Sequence, residues 1–185
     1  MSTKSARLTR RAVMTALAAV SAAGRASGNN PKALVAYFSR SGNTRVVAGL
    51  IQRSLGADLF EIQPVEPYPA DYLETVAQAT RERDRGFEPP LVAKVSNLVQ
   101  YETVYLGFPI WGETAPPIIR SFLKAHDLSG KTLIPFITHG GYGLGNSHAV
   151  MASHAPRARL ERGFSMQADQ ERQTMNAVNS WLKGA

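Results

Sequence analysis

The chain predicts an α/β domain: a doubly wound, five-stranded parallel sheet with helices on both faces. Three observations lead there. Short apolar runs alternate with segments whose apolar residues recur every three or four positions, the pattern of buried parallel strands and the helices that cover them. The first apolar run passes directly into Ser39-Arg40-Ser41-Gly42-Asn43-Thr44 and then into a helical pattern. Finally, 185 residues without a cysteine suit one domain whose core needs no disulfide.

Each element has a local cause. Ala33–Phe38 is the first strand. In Thr44–Leu55, Val46, Val47, Leu50, Ile51 and Leu55 share a helical face, and Gly56 is placed to cap its end. Ala57–Gln63 is the second strand, and Pro64, Pro67 and Pro69 open a loop. Tyr72–Arg83 is a polar helix, followed by the turn Gly86-Phe87-Glu88-Pro89-Pro90. Thr103–Phe108 is the third strand, closed by Pro109. Pro116-Pro117 suits the first turn of the next helix, where a missing N–H costs little; Ile118, Ile119, Phe122 and Leu123 form its buried face. Lys131–Thr138 is the fourth strand and leads into the glycine-rich loop His139–Gly145. Asn146–Ala155 is helical, Arg159–Met166 holds the fifth strand, and Gln170–Leu182 closes the domain.

Charge and leader belong together. Residues 1–28 hold Lys4, Arg7, Arg10, Arg11 and Arg25 and no acid, so the +7 net charge lies mostly there. The body lacks a basic stripe with interleaved aromatics, which argues against a nucleic-acid binder. Residues 1–28 form an export signal and linker, and residues 29–185 the domain. The order is basic, then apolar Ala12–Ala23, then small residues at Gly24-Arg25-Ala26, as in a secretory signal. The apolar run is too short for a membrane span. Thr9-Arg10-Arg11-Ala12-Val13-Met14 resembles the twin-arginine motif, with Val13 where Phe is common. The resemblance implies export of folded protein, to the periplasm; a disordered or mitochondrial-type basic leader is the alternative.

The loop Ser39–Thr44 has the chemistry of a phosphate cradle. A helix start offers free N–H groups and partial positive charge. Ser39, Ser41 and Thr44 add hydroxyls, Gly42 permits positive φ, and Asn43 tolerates a tight turn. The lysine of the Walker loop and the glycine triplet of dinucleotide folds are both missing. An ordinary serine-capped helix is the plain alternative. His148 and His154 are poorly spaced for a metal, no metal site is expected, and no hydrolase elbow occurs.

Ser-x-Ser-Gly-Asn-Thr after a first strand resembles the phosphate loop of flavodoxins, which hold FMN. Tyr68-Pro69-Ala70-Asp71-Tyr72, Pro109-Ile110-Trp111-Gly112, Thr138–Gly143 and Gly145-Asn146-Ser147 extend the resemblance to roughly residues 33–182. It implies the strand order 2-1-3-4-5 and bound FMN; placement of FMN at the switch point of such sheets is a known flavodoxin property. Ser39, Arg40, Ser41, Gly42, Asn43 and Thr44 would then hold the phosphate. Pro109, Ile110, Trp111 and Gly112, with His139, Gly140, Gly141, Tyr142 and Gly143, would frame the ring. Trp111 would stack on the isoalloxazine or cover its edge, and Tyr142 on its other face. Gly112 would allow a peptide to flip toward the ring, and it stands where the subgroup often has a second tryptophan. The alternatives are a core aromatic for Trp111, an exposed loop tyrosine for Tyr142 and a backbone-bonded His139. Arg81-Glu82-Arg83-Asp84-Arg85 is a solvated helix end or a rim to the cofactor.

The resemblance implies electron transfer. It leaves open a carrier serving redox proteins, an NAD(P)H- or quinone-dependent flavin reductase acting on small electron donors or acceptors, and a flavodoxin-fold domain without flavin. No catalytic residue stands out. The leader carries a prediction: mass measurement of exported protein should show the loss of about 23–28 residues, whereas full-length protein confined to the cytoplasm would refute the signal.

Overall fold

The computed structural model describes residues 32–167 and 171–184; the expected leader and linker lie outside the described residues. The elements run β1 (Lys32–Tyr37), α1 (Asn43–Leu55), β2 (Asp58–Glu61), α2 (Tyr72–Asp84), β3 (Tyr101–Pro109), α3 (Pro117–Ala125), β4 (Thr132–His139), α4 (Ser147–His154), β5 (Arg159–Leu160), β6 (Phe164–Gln167) and α5 (Glu171–Gly184). Every strand pairing is parallel, in the order β2-β1-β3-β4-β5, with β6 also on β4. The expected doubly wound sheet and its 2-1-3-4-5 order are therefore present.

Side-chain alternation along the central strands makes two cores. Leu34, Ala36 and Phe38 of the first strand and its end join Val104, Leu106 and Phe108 of β3 against Ile118, Ile119 and Phe122 of α3 and Met151 of α4. Val35, Tyr37, Tyr105 and Phe136 face the other way, onto Val47, Ala48 and Ile51 of α1 and Val178 of α5. A side chain at Gly107 would overlap the Phe136 ring, so the bare β3 position gives that phenylalanine its room. Val46 and Leu55 of α1 are exposed; the buried face is Thr44, Val47, Ala48 and Ile51. Gly56 caps this helix in the left-handed conformation, φ 62°.

The fifth strand differs from the single strand expected. β5 and β6 occupy one edge position, separated by Glu161–Gly163. The cause lies in β4. Lys131 and Leu133 turn their carbonyls to the edge strand, accepting the N–H groups of Arg159 and Glu161 at 2.8 and 2.9 Å. Pro135, two residues on, faces the same way and has no N–H to contribute. Gly163, at φ +70°, passes so close to the Pro135 carbonyl that a Cβ there would collide.

Between β2 and β3 the chain makes a long excursion carrying α2. Its two ends are clipped by hydrogen bonds from Val65 N–H to the Pro90 carbonyl and from Val92 N–H to the Gln63 carbonyl, both 2.9 Å. Asp71 caps α2 by accepting the Glu74 N–H at 2.9 Å. His126, after α3, ties down the return segment. Its Nε2 accepts the Val95 N–H at 2.9 Å, so Nδ1 must carry the proton that it donates to the Phe122 carbonyl at 2.7 Å.

That arrangement requires a neutral ring. Burial lowers the His126 pKa, the Phe122 carbonyl opposes this, and Lys94 adds to the lowering. Below the ordinary value of about 6.5 the unfolded chain takes up the proton first. His126 thus contributes its full stability above that pH and loses it as the pH falls through the folded-state value. Urea unfolding between pH 7 and pH 5 should show this decline, and His126→Gln should be less stable at pH 7 but flatter across the range.

Candidate functional site

Because β1, β3 and β4 are parallel neighbours, their carboxyl ends share one edge of the sheet. The connections after them meet there, at the point where α1 leaves to one face and α3 to the other. They enclose a cleft of about 570 Å³, within the range of small-molecule sites.

The floor at one end is the β1–α1 turn. Gly42 is the N-cap of α1 with φ 96° and ψ −19°, a left-handed conformation that glycine adopts readily. Among the described residues, no hydrogen bond takes the N–H of Asn43 or Thr44, leaving two donors at a helix start. Arg40, Ser41 and Asn43 line the cleft. Ser39 does not; its Oγ accepts the N–H groups of Gly42 and Arg45 at 3.2 and 3.3 Å and shapes the turn. Thr44 is buried, with its hydroxyl 2.8 Å from that of Thr138 on β4. The sequence grouped all three hydroxyls as donors to a ligand; of the three residues only Ser41 lines the cleft. Arg40 donates to the Ala70 carbonyl at 3.1 Å and lies over the Tyr72 ring, 5.8 Å from its centroid.

The turn after β3 forms the opposite part. Trp111 and Thr114 exchange backbone hydrogen bonds across Gly112 and Glu113, which both have positive φ, 57° and 62°. Two such residues are what a tight hairpin turn demands; glutamate rarely accepts this conformation. The Glu113 carbonyl is held by the Asn146 N–H at 2.9 Å. Gly145 lies directly beneath it, where a Cβ would overlap the carbonyl. Trp111 packs edge-on against Phe38 at 5.3 Å and Tyr68 at 4.8 Å, so its ring is fixed by core aromatics while it lines the cleft. The Tyr68 hydroxyl donates to Glu82 at 2.8 Å. Burial first, and Glu82 second, raise its pKa.

Pro109, Ile110, Trp111, Gly112, His139, Gly140 and Tyr142 all line the cleft. Gly141 and Gly143 do not; with φ 124° and 68° they bend the loop. The His139 Nδ1 accepts the Gly141 N–H at 3.1 Å, the backbone role that was the alternative for this residue. Tyr142 stands 75% exposed at the cleft mouth.

Most of the outer wall lay outside the residues expected to frame a ligand; Tyr72 belonged to the Tyr68–Tyr72 motif, and Arg83 to the segment expected as a solvated helix end or a rim to the cofactor. Tyr72, Thr75, Val76, Ala79, Thr80 and Arg83 of α2 line this wall. Their spacing of three and four was the available signal: they form one nearly uncharged face on a helix otherwise polar. Glu113, Thr114, Pro117 and Thr138 also line the cleft. The Thr114 hydroxyl is buried and unpartnered among the described residues. Among the described residues there is no metal-ligand cluster and no helix long and apolar enough to cross a membrane.

A family model described as flavodoxin matches residues 32–184. A candidate flavoprotein of Bacteroides eggerthii is 33% identical over 84% of this chain and 98% of its own, with a TM-score of 0.72. One from Bacteroides uniformis is 32% identical over 83% and 98%, with a TM-score of 0.73. A flavoprotein of Lactobacillus acidophilus, solved in complex with FMN, shares the fold at 21% identity over 79% and 99%, with a TM-score of 0.65. No curated protein matches the chain.

The support beneath the Glu113 turn gives a direct test. Gly145→Ala must displace the Glu113 carbonyl and adopt an unfavourable φ, at a cost of about 2–4 kcal/mol. Gly140→Ala, with open space around it, should stay within about 0.5 kcal/mol of the parent. Urea denaturation measures both.

Proposed function

The chain belongs to the flavodoxin family, and from that premise we propose that it binds FMN non-covalently and serves as an electron carrier. The observation that carries this is the cradle: a left-handed glycine starting α1, with the Asn43 and Thr44 amides unpartnered among the described residues, next to Ser41 and Asn43 of the cleft lining. This donor set suits a phosphate dianion. At the other end, Trp111, Gly140 and Tyr142 offer aromatic and bare backbone surfaces to a planar ring, and Arg83 covers Gly112. When bound, FMN supplies the one- and two-electron chemistry that the side chains cannot.

The protein's share is positioning. Ser41, Asn43 and the α1 amides anchor one end. The braced Trp111 turn and the His139 loop limit tilt at the other. The α2 wall, through Thr75, Val76, Ala79 and Thr80, excludes water from one flank. Tyr142, exposed at the mouth, would meet an arriving redox protein or small electron carrier.

A reductase is the second reading, favoured by the strip of Tyr72, Val76 and Ala79 along the cleft, which could receive a second flat molecule. Stopped-flow mixing of the FMN-loaded protein with NADPH decides between them: rapid bleaching without a protein partner means reductase. The twin-arginine-like Thr9–Met14 and the apolar Ala12–Ala23 of the leader, residues 1–28, support export by the twin-arginine route, which would carry the protein folded and already loaded.

Titration of apoprotein with FMN, followed by quenching of flavin fluorescence, should show one site. Ser41→Ala and Asn43→Ala should each weaken FMN about tenfold or more and leave riboflavin, which lacks the phosphate, unchanged. No binding of FMN at all would overturn the proposal in favour of a flavin-free domain.

A further inference from the structure

The charged side chains that line the cleft are few: Arg40, Arg83 and Glu113. Arg40 is committed at the phosphate end, to the Ala70 carbonyl and the Tyr72 ring. Arg83 stands at the other end, on the last turn of α2. Its Nη1 lies 2.9 Å from the point a Cβ on Gly112 would occupy. The room left by the missing side chain at residue 112 is thus filled by a guanidinium. Its opposite edge is pinned, since Nε and Nη2 both reach Asp84 Oδ1 at 3.0 Å. Asp84 is largely exposed and does not line the cleft. Water screens that carboxylate more than it screens the arginine edge facing the turn.

Given FMN in this cleft, the ring end lies beside the Trp111–Thr114 turn. Two electrons and one proton convert the neutral oxidised ring into a reduced ring with one added negative charge; a reduced redox protein supplies the electrons and solvent the proton. We propose that Arg83 is a positioning and redox-tuning residue that binds the reduced, anionic ring more tightly than the oxidised one and so raises the two-electron potential. A planar cation, held over a bare glycine, suits this role better than a freely rotating ammonium. The proposal rests on the FMN reading above and adds to it the sign of the electrostatic bias. It also gives Gly112 a reason beyond its φ of 57°: any side chain there would push Nη1 away.

The test compares the parent with Arg83→Gln and Arg83→Lys, all loaded with FMN. Affinity for oxidised FMN is measured by fluorescence quenching, and the two-electron potential by dye-equilibrated reduction with dithionite. Losing a unit charge beside the Trp111–Thr114 turn should weaken reduced FMN about tenfold more than oxidised FMN. The potential of Arg83→Gln should therefore move negative, and the pH at which the reduced ring loses its proton, read from its absorbance, should rise. Arg83→Lys should restore most of both shifts. Equal weakening of the oxidised and reduced forms, with potential and ring proton unmoved, would reduce Arg83 to a packing residue and overturn the inference while FMN binding stands. Failure of the parent to bind FMN would overturn the inference together with the reading it rests on.

Discussion

The cleft depends on a single buried contact between two hydroxyls. Thr44, in the first turn of α1, and Thr138, near the end of β4, meet at 2.8 Å. One must donate and the other accept, so neither is left unsatisfied away from water. The contact spans the width of β3 and fixes the start of α1 relative to the loop that follows β4. Gly42 and Ser39 set the turn that delivers Thr44 there, and His139 begins the loop immediately after Thr138. Without that tie the strands would still be paired, but α1 would lose the side-chain hydrogen bond that joins its first turn to the end of β4.

The fold was legible because parallel strands buried on both faces are nearly continuously apolar, as Ala33–Phe38 and Val104–Phe108 are. Their alternation between two cores follows from strand geometry alone. The edge was less legible. Arg159–Met166 was expected to hold one strand; Gly163 within it is a bend signal, but the hydrogen bond missing at the break belongs to Pro135, on the neighbouring strand and far away in sequence. A similar limit applied to the hydroxyls of Ser39–Thr44. Their types mark a cradle, but which oxygen turns to the cleft depends on partners such as Thr138 and the Arg45 N–H.

The outer wall shows the opposite case, in which the signal was present and misjudged. Helix α2 carries many charges, and such a composition suggests a solvated helix. Yet Tyr72, Thr75, Val76, Ala79, Thr80 and Arg83 lie along one side, facing inward across the cleft. The clip between Val65 and Pro90 and between Gln63 and Val92 holds the excursion so that this face closes the site. A helix packed against a ligand cavity rather than a core has less need of leucine and isoleucine. Small and uncharged side chains there leave volume for the ligand.

The interrupted edge has a consequence for the protein in a crowded solution. A long exposed strand invites other chains to extend the sheet and so seeds aggregation. Here the outermost position is two residues of β5, a kink at Gly163 and four residues of β6. An incoming strand would meet a bent, discontinuous row of donors and acceptors and could not stay in register across it. Pro135, by withholding one hydrogen bond inside the sheet, thereby guards its border against self-association.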